Sequence, residues 1–336
     1  MTISADEIVM NSEFDIINRY FLRSAHNASL GIGDDAALIS CQPDTDLAIS
    51  VDTLVASHHF FPDVEPRSLG HKVLAVNLSD MAAMGATPRW VTLSLTLPKI
   101  IAHDNAWLAA FSSGFFALAD QHQVELVGGD TTQGPLSISV QIMGEVEREK
   151  ALRRSGAKLG DDIWVSGFVG EAALALRYLQ QKTMLTAEAA ASCLPALHTP
   201  IPRVSLGRAL INVAHSAIDV SDGLVADLEH ILQGSQVAAT IELDHIPCSS
   251  RLKDKLSEGG ADYQLAIDCL LAGGDDYELC FTVPENKRIV VTQLAQQVGV
   301  RLSRIGKIVP GEGLTVLNNN RDPLIFNKKG YDHFLD

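Results

Sequence analysis

Gly31-Ile32-Gly33-Asp34-Asp35-Ala36-Ala37-Leu38, GIGDDAAL, is the stretch on which the reading of the chain turns. Two glycines allow sharp bends and close approach to a ligand, and two adjacent carboxylates follow with an apolar run behind them. Side by side, such carboxylates repel, and one is driven towards protonation unless a cation lies near. Arg23 and Lys72, the nearest bases in sequence, are distant, so a bound divalent ion answers the charge better than a side chain. The stretch also matches G-x-G-x-x-A, the dinucleotide fingerprint. That match fails, because Asp34 and Asp35 put anions where a pyrophosphate would sit and no convincing strand precedes it.

Three other stretches share one grammar. LAISV (47–51) runs into Asp52-Thr53, VELVG (124–128) into Gly129-Asp130-Thr131, and SAIDV (216–220), with Asp219, into Ser221-Asp222. Each reads as a buried apolar strand that ends in an acid beside a hydroxyl, and in α/β sheets ligands collect at strand ends. Pro66 to Ala83 reads as a helix, with proline at its start and Gly85 just past its end. Inside it Asn77 and Asp80 share a face among Leu74, Val76, Leu78 and Met81, where a carboxylate needs a partner. With Asp34 and Asp35, these acids form a candidate all-oxygen cluster. Oxygen ligands without thiolates or spaced histidines select Mg²⁺ or a similar hard cation. His58 and His59 are adjacent rather than spaced for zinc.

The rest of the chain reads as α/β. Residues 13–23 form a short amphipathic helix, 90–98 and 137–146 alternate as strands, and a helix runs from about 104 to 121. Further on come a strand at 163–167, helices to about 181 and over 203–214, and a glycine turn feeding a strand over 272–283. A helix at 287–298 and strands at 301–309 and 314–317 follow. The polar, glycine-bearing run from Arg153 to Asp161 is a connector, which places two domains at 1–149 and 150–336.

The 336 residues carry 41 acids against 26 bases, a formal net charge of -15, which excludes nonspecific affinity for nucleic acid or anionic membrane. Phosphate substrates would then need metal ions to neutralise them. Five scattered cysteines without a CxxC pair fit reduced thiols rather than a disulfide framework. The acidic start MTISADEIVM is unlike a signal peptide and no apolar run reaches membrane-spanning length, so the expected setting is the cytoplasm. No G-x-x-x-x-G-K-[ST] loop and no protein-kinase motif set occurs.

Taken together, GIGDDAAL, ISVDTLVASHHF, KVLAVNLSDMAAMGATP, LVGGDTT, RRSGAKLGD, AIDVSDGL, GGDDYELCF and KGYDHF resemble the thiamine-monophosphate kinases in order and spacing, from about Glu13 to Phe334. The resemblance implies the two-domain fold of the aminoimidazole ribonucleotide synthetase-like ATP-binding proteins, with the N-terminal sheets pairing across a homodimer. It implies direct transfer of the ATP γ-phosphoryl group to thiamine phosphate, giving thiamine diphosphate, with several Mg²⁺ ions and no phosphoenzyme. By resemblance, Asp34, Ser50, the Val51 carbonyl, Asp52, Asp80, Asp130, Asp219 and Asp222 are magnesium ligands. Gly129, Asp130, Arg154 and Ser221 are ATP contacts; His59, Asp275 and Tyr331 touch thiamine phosphate. The family reads GGEDYEL where this chain has Asp275, a carboxylate shorter in reach by about 1.5 Å. Two alternatives stand beside this: another ATP-dependent enzyme of the same superfamily, aminoimidazole ribonucleotide synthetase foremost, and a catalytically silent nucleotide- or metal-binding regulator.

Overall fold

A computed structural model describes residues 11–326, 330–331 and 334. The acidic start, MTISADEIVM, lies outside the described residues, as do Lys329, Asp332 and His333 of the KGYDHF tail. Contacts divide the chain into two compact units, one of Met1–Pro43, Ile49–Asn77 and Pro88–Glu145, the other of Asp44–Ala48, Leu78–Thr87 and Val146–Asp336.

The N-terminal elements are α1 (Glu13–Ile16, continued by a π-helical turn), β1 (Ala28–Leu30), β2 (Leu38–Ile39), β3 (Thr45–Val55), α2 (Pro66–Ala83), β4 (Thr87–Leu97), α3 (Lys99–Ala102), α4 (Asn105–His122), β5 (Glu125–Gln133) and β6 (Ser137–Glu147). Ser12 starts α1 with a capping box to Asp15, and Asp104 caps α4 through the amides of Ala106 and Trp107. α2 and α4 meet backbone to backbone. A methyl group on Gly70 would fall 2.0 Å from the Phe111 carbonyl oxygen, and one on Gly114 would fall 1.9 Å from that of Arg67. Large side chains fill the space around that crossing, with Leu69, Leu74, Phe111 and Phe115 fully buried.

Four strands form one sheet in the order β3-β6-β4-β5. Two strand assignments need correction. β3 does not end before Asp52, nor β5 before Gly129: both run on, so Asp52 and Asp130 are strand residues. The 47–51 segment is also not buried. It lies on an edge strand, with Ile49 56% and Val51 60% exposed, while Leu54 on the opposite face is buried. Strand alternation puts Leu47, Ile49 and Val51 on one face, and composition alone does not tell a covered face from an open one. A third correction concerns Gly31–Leu38: β1 does precede it, but pairs antiparallel with β2, and no helix follows. A dinucleotide site needs a strand–turn–helix there.

The C-terminal elements are β7 (Asp162–Ser166), α5 (Glu171–Leu179), α6 (Ala187–His198), α7 (Val204–Leu210), β8 (Ser216–Val220), α8 (Leu224–Ser235), β9 (Ala238–Glu242), α9 (Ser250–Glu258), α10 (Gly260–Ala272), β10 (Glu278–Val283), α11 (Arg288–Val298), β11 (Leu302–Val309) and β12 (Gly313–Leu317). Six strands form a sheet in the order β12-β9-β11-β7-β10-β8, antiparallel except for β12 beside β9. Its core joins Ile163, Val165, Ile218, Val220 and Ile305 from the strands to Leu224, Leu228, Ile231, Ile267 and Leu270 from α8 and α10. Cys193, Cys248, Cys269 and Cys280 are buried as free thiols and Cys41 is exposed. No helix among the described residues is long and apolar enough to cross a membrane.

Candidate active site

The acids of the second unit gather at the end of β8, an edge strand. Asp219, in β8, is buried and accepts a hydrogen bond from the Ser79 hydroxyl at 2.7 Å. Burial, and then the charge of Asp80, push Asp219 up to about 7, against the Ser79 bond and the Arg154 cation. The chain then turns through Ser221, Asp222 and Gly223 into α8. One oxygen of Asp227, in the first turn of that helix, accepts from the amides of Ser221 (3.0 Å), Asp222 (3.1 Å) and Gly223 (3.1 Å). Burial and the charges of Asp219 and Asp222 nonetheless push Asp227 up to about 8.

The GGDDYEL segment is laced to the same turn. The Asp275 amide donates to the Ser221 carbonyl at 2.8 Å, the Tyr277 amide to Val220 at 2.8 Å, and the Tyr331 amide to Asp222 at 3.0 Å. Asp275 (φ 68°) and Tyr277 (φ 50°) are both left-handed, a conformation that costs a non-glycine residue about 1–3 kcal/mol. The Tyr277 hydroxyl donates to Asp275 at 3.0 Å and so fixes the shortened carboxylate. The neighbouring acid has a different task. Asp276 accepts from the Gly170 amide at 2.8 Å, at the N-terminus of α5, and burial pushes it well above the usual carboxylate range. Glu278 is buried against the forked guanidinium of Arg203, at 2.6 and 2.5 Å, and also accepts from the Ser166 hydroxyl.

In the first unit the candidate residues lie on the sheet and its loops. Asp34 is exposed between β1 and β2 and accepts from the Asp35 amide. Ser50, Val51 and Asp52 lie on β3. His59 follows that strand, its Nδ1 accepting from the Val55 amide at 3.0 Å, which fixes the ring. Gly129 (φ 149°) is required by packing, because a methyl group there would fall 1.9 Å from the Leu93 carbonyl oxygen. Asp130 pairs in register with Ser94 of β4. Thus Asp80, Arg154, Asp219, Ser221, Asp222, Asp275 and Tyr331 come together within the second unit. Asp52 and Asp130 do not share neighbouring strands: they sit on opposite edges of their sheet, with β6 and β4 between.

Asp80, Asp219, Asp222 and Asp227, close enough that their charges add to burial in pushing Asp219 and Asp227 up, offer oxygen donors of the kind a hard divalent cation takes, although among the described residues only Glu242, Asp244 and His245 hold their ligand atoms within 4.8 Å of one another. Two family models match, AIR synthase related protein N-terminal domain over residues 33–146 and C-terminal domain over 158–317. A thiamine-monophosphate kinase of Salmonella typhimurium is 45% identical over 327 residues, 96% of this chain and 98% of that protein. The chain belongs to the thiamine-monophosphate kinase family. A crystal structure of the thiamine-monophosphate kinase from Stenotrophomonas maltophilia K279a is 48% identical with TM-score 0.80, over 90% of this chain and 94% of that one. AaThiL complexed with AMPPCP and TMP is 30% identical with TM-score 0.76, over 91% of this chain and 93% of that one.

Within this thiamine-monophosphate kinase fold the sequence reading passed over Ser79, Asp227, Asp276 and the Arg203–Glu278 pair. Spacing held one clue. An acid in the first turn of a helix, a few residues after a Ser-Asp-Gly turn, is placed to take up that helix's open amides. For Arg203 no sequence signal exists, since it lies 75 residues from its partner.

Proposed function

We propose that the chain transfers the γ-phosphoryl group of ATP directly to thiamine phosphate, giving thiamine diphosphate and ADP, as a Mg²⁺-dependent cytoplasmic homodimer. The observation that carries the reading is identity of 45% to thiamine-monophosphate kinase across 96% of the chain. AaThiL, bound to an ATP analogue and TMP, supports both substrates. Asp34, Ser50, the Val51 carbonyl, Asp52, Asp80, Asp130, Asp219 and Asp222 would hold Mg²⁺. Gly129, Asp130, Arg154 and Ser221 would bind ATP; His59, Asp275 and Tyr331 would bind thiamine phosphate. Bound Mg²⁺ supplies neutralisation of two phosphate chains that otherwise repel. The acceptor is a phosphate oxygen already deprotonated at neutral pH, so no side chain has to remove a proton. The protein's own part is placement: Tyr277 orients Asp275, Ser79 orients Asp219, and the backbone of Ser221 and Asp222 is tied to the segments that carry Asp275 and Tyr331.

One incubation tests this. Purified protein with Mg-ATP and a panel of thiamine, thiamine phosphate and an aminoimidazole precursor should yield thiamine diphosphate from the monophosphate alone. Excess EDTA should stop it. Turnover of the aminoimidazole compound, or full activity in EDTA, overturns the reading.

The dimer reading is supported by β3, an edge strand with an open apolar face, because such edges invite pairing with another chain. It is also supported by Asp52 and Asp130 lying on opposite edges, where a second copy is one way to complete a pocket. Ile49→Lys with Val51→Lys should halve the mass seen in sedimentation without unfolding the chain. A wild-type protein that sediments as a monomer would refute it.

A further inference from the structure

We propose that Asp227 is the positioning residue of the phosphotransfer site, filling from inside the chain the anion nest made by Ser221, Asp222 and Gly223. Three consecutive amides that converge at a helix N-terminus form a concavity that attracts phosphate. Here one carboxylate oxygen of a residue 2% exposed takes all three, at 3.0, 3.1 and 3.1 Å. The α8 N-terminus is therefore closed to a substrate phosphate. It holds the turn that bears Ser221 and Asp222 instead.

The other side of the turn is equally committed. Its carbonyls at Ser221 and Asp222 accept from the Asp275 and Tyr331 amides. The turn is thus clamped between Asp227, through its N–H groups, and the proposed thiamine phosphate segments, through its C=O groups. Little slack remains around it. A methyl group on Gly223 (φ 131°) would meet Ala272 backbone at 2.9 Å, one on Gly274 the Ser221 carbonyl oxygen at 2.4 Å, and one on Gly330 the Ala226 methyl at 2.5 Å. Loss of the Asp227 oxygen leaves three amides, one buried and two partly buried, seeking partners, and the turn gains freedom where Asp222 needs a fixed position. Outer groups that orient a metal ligand typically change metal affinity by about 10–100-fold.

The inference rests on the reading of Asp219 and Asp222 as Mg²⁺ ligands, and the experiment separates the two. Calorimetry follows Mg²⁺ binding in the presence of AMPPCP for wild type, Asp227→Ala and Asp227→Asn, and hydrogen exchange follows the amides of 221–223. Wild type that takes up no Mg²⁺ refutes the ligand reading itself. If it binds, Asp227→Ala should bind about 10–100-fold more weakly and lose protection at the three amides. A raised KM for thiamine phosphate should accompany this, with kcat at saturating Mg²⁺ held within about threefold. Asp227→Asn keeps an acceptor oxygen in the same place and should stay within about threefold of wild type in Mg²⁺ affinity and keep the protection. Unchanged Mg²⁺ affinity in a folded Asp227→Ala makes the residue merely structural and overturns the proposal. Should the alanine variant not fold, the asparagine variant decides: about tenfold weaker Mg²⁺ binding with intact protection would make the charge itself the ligand, and overturn it equally.

Discussion

Asp219→Asn should abolish turnover and at the same time make the metal-free protein more stable. The two effects have one cause. Asp219 is buried beside Asp80 and pushed up to about 7, so its ionised form is held at a cost that a bound cation would offset. Asparagine keeps an oxygen for the Ser79 hydroxyl but carries no charge to repel Asp80 or to ligate a cation. Loss of one of the proposed Mg²⁺ ligands around the transferring phosphates should lower kcat by about a thousandfold or more. The stability effect follows from linkage. An unfolded aspartate releases its proton near pH 4, whereas the folded one holds it until about 7. Stability of the metal-free wild type therefore falls as pH rises through that window, and Asp227, up to about 8, extends the fall in the same direction. Asp219→Asn should flatten the slope and gain about 4 kcal/mol at pH 8 in EDTA. Thermal unfolding between pH 5 and 8.5, with and without Mg²⁺, reads it directly. A variant that is active, or less stable than wild type in EDTA at pH 8, refutes the account.

Arg203→Ala is expected to cost about 3–5 kcal/mol of stability. Glu278 is buried and its two oxygens meet the Arg203 guanidinium as a fork, with the Ser166 hydroxyl on one of them. Glu278 itself is closely packed on the strand side, where a methyl group at Gly167 would collide with one of its oxygens. Removal of the cation leaves a charged carboxylate in an apolar setting. The double variant Arg203→Met with Glu278→Leu should recover much of the loss, since buried ion pairs and apolar replacements of like volume are often near parity. Urea unfolding of the three proteins forms the test, and a single variant within about 1 kcal/mol of wild type would show the pair to be dispensable. Glu278 immediately follows the left-handed Asp275 and Tyr277, so the variant should also loosen that turn and raise the KM for thiamine phosphate.

Much of the fold was legible where pattern and punctuation agreed. Pro66, the apolar run and Gly85 delimit α2, and the runs at 216–220 and 163–167 give β8 and β7 within a residue. Segments whose identity depends on distant partners were not legible. Over 187–198 and 250–272 the apolar periodicity is diluted by alanine or by charge, and α6, α9 and α10 went unassigned. The error at 47–51 is more instructive. A run of alternating aliphatic residues says that a face will be covered, not by which chain, and Ile49 and Val51 are left open by their own. For the site, acids were found wherever they follow an apolar strand, but proximity could not sort their roles. Asp275 and Asp276 are adjacent and chemically identical, yet one is oriented by Tyr277 and the other caps α5. Only the backbone, turning left-handed at Asp275, sends them to different tasks.

The crossing of α2 and α4 is a point at which the first unit cannot give. Two helices that touch through bare main chain at Gly70 and Gly114 cannot slide or roll past one another without a clash of carbonyl groups. The pair is therefore a stiff spar within the first unit, holding its two longest helices at one fixed separation.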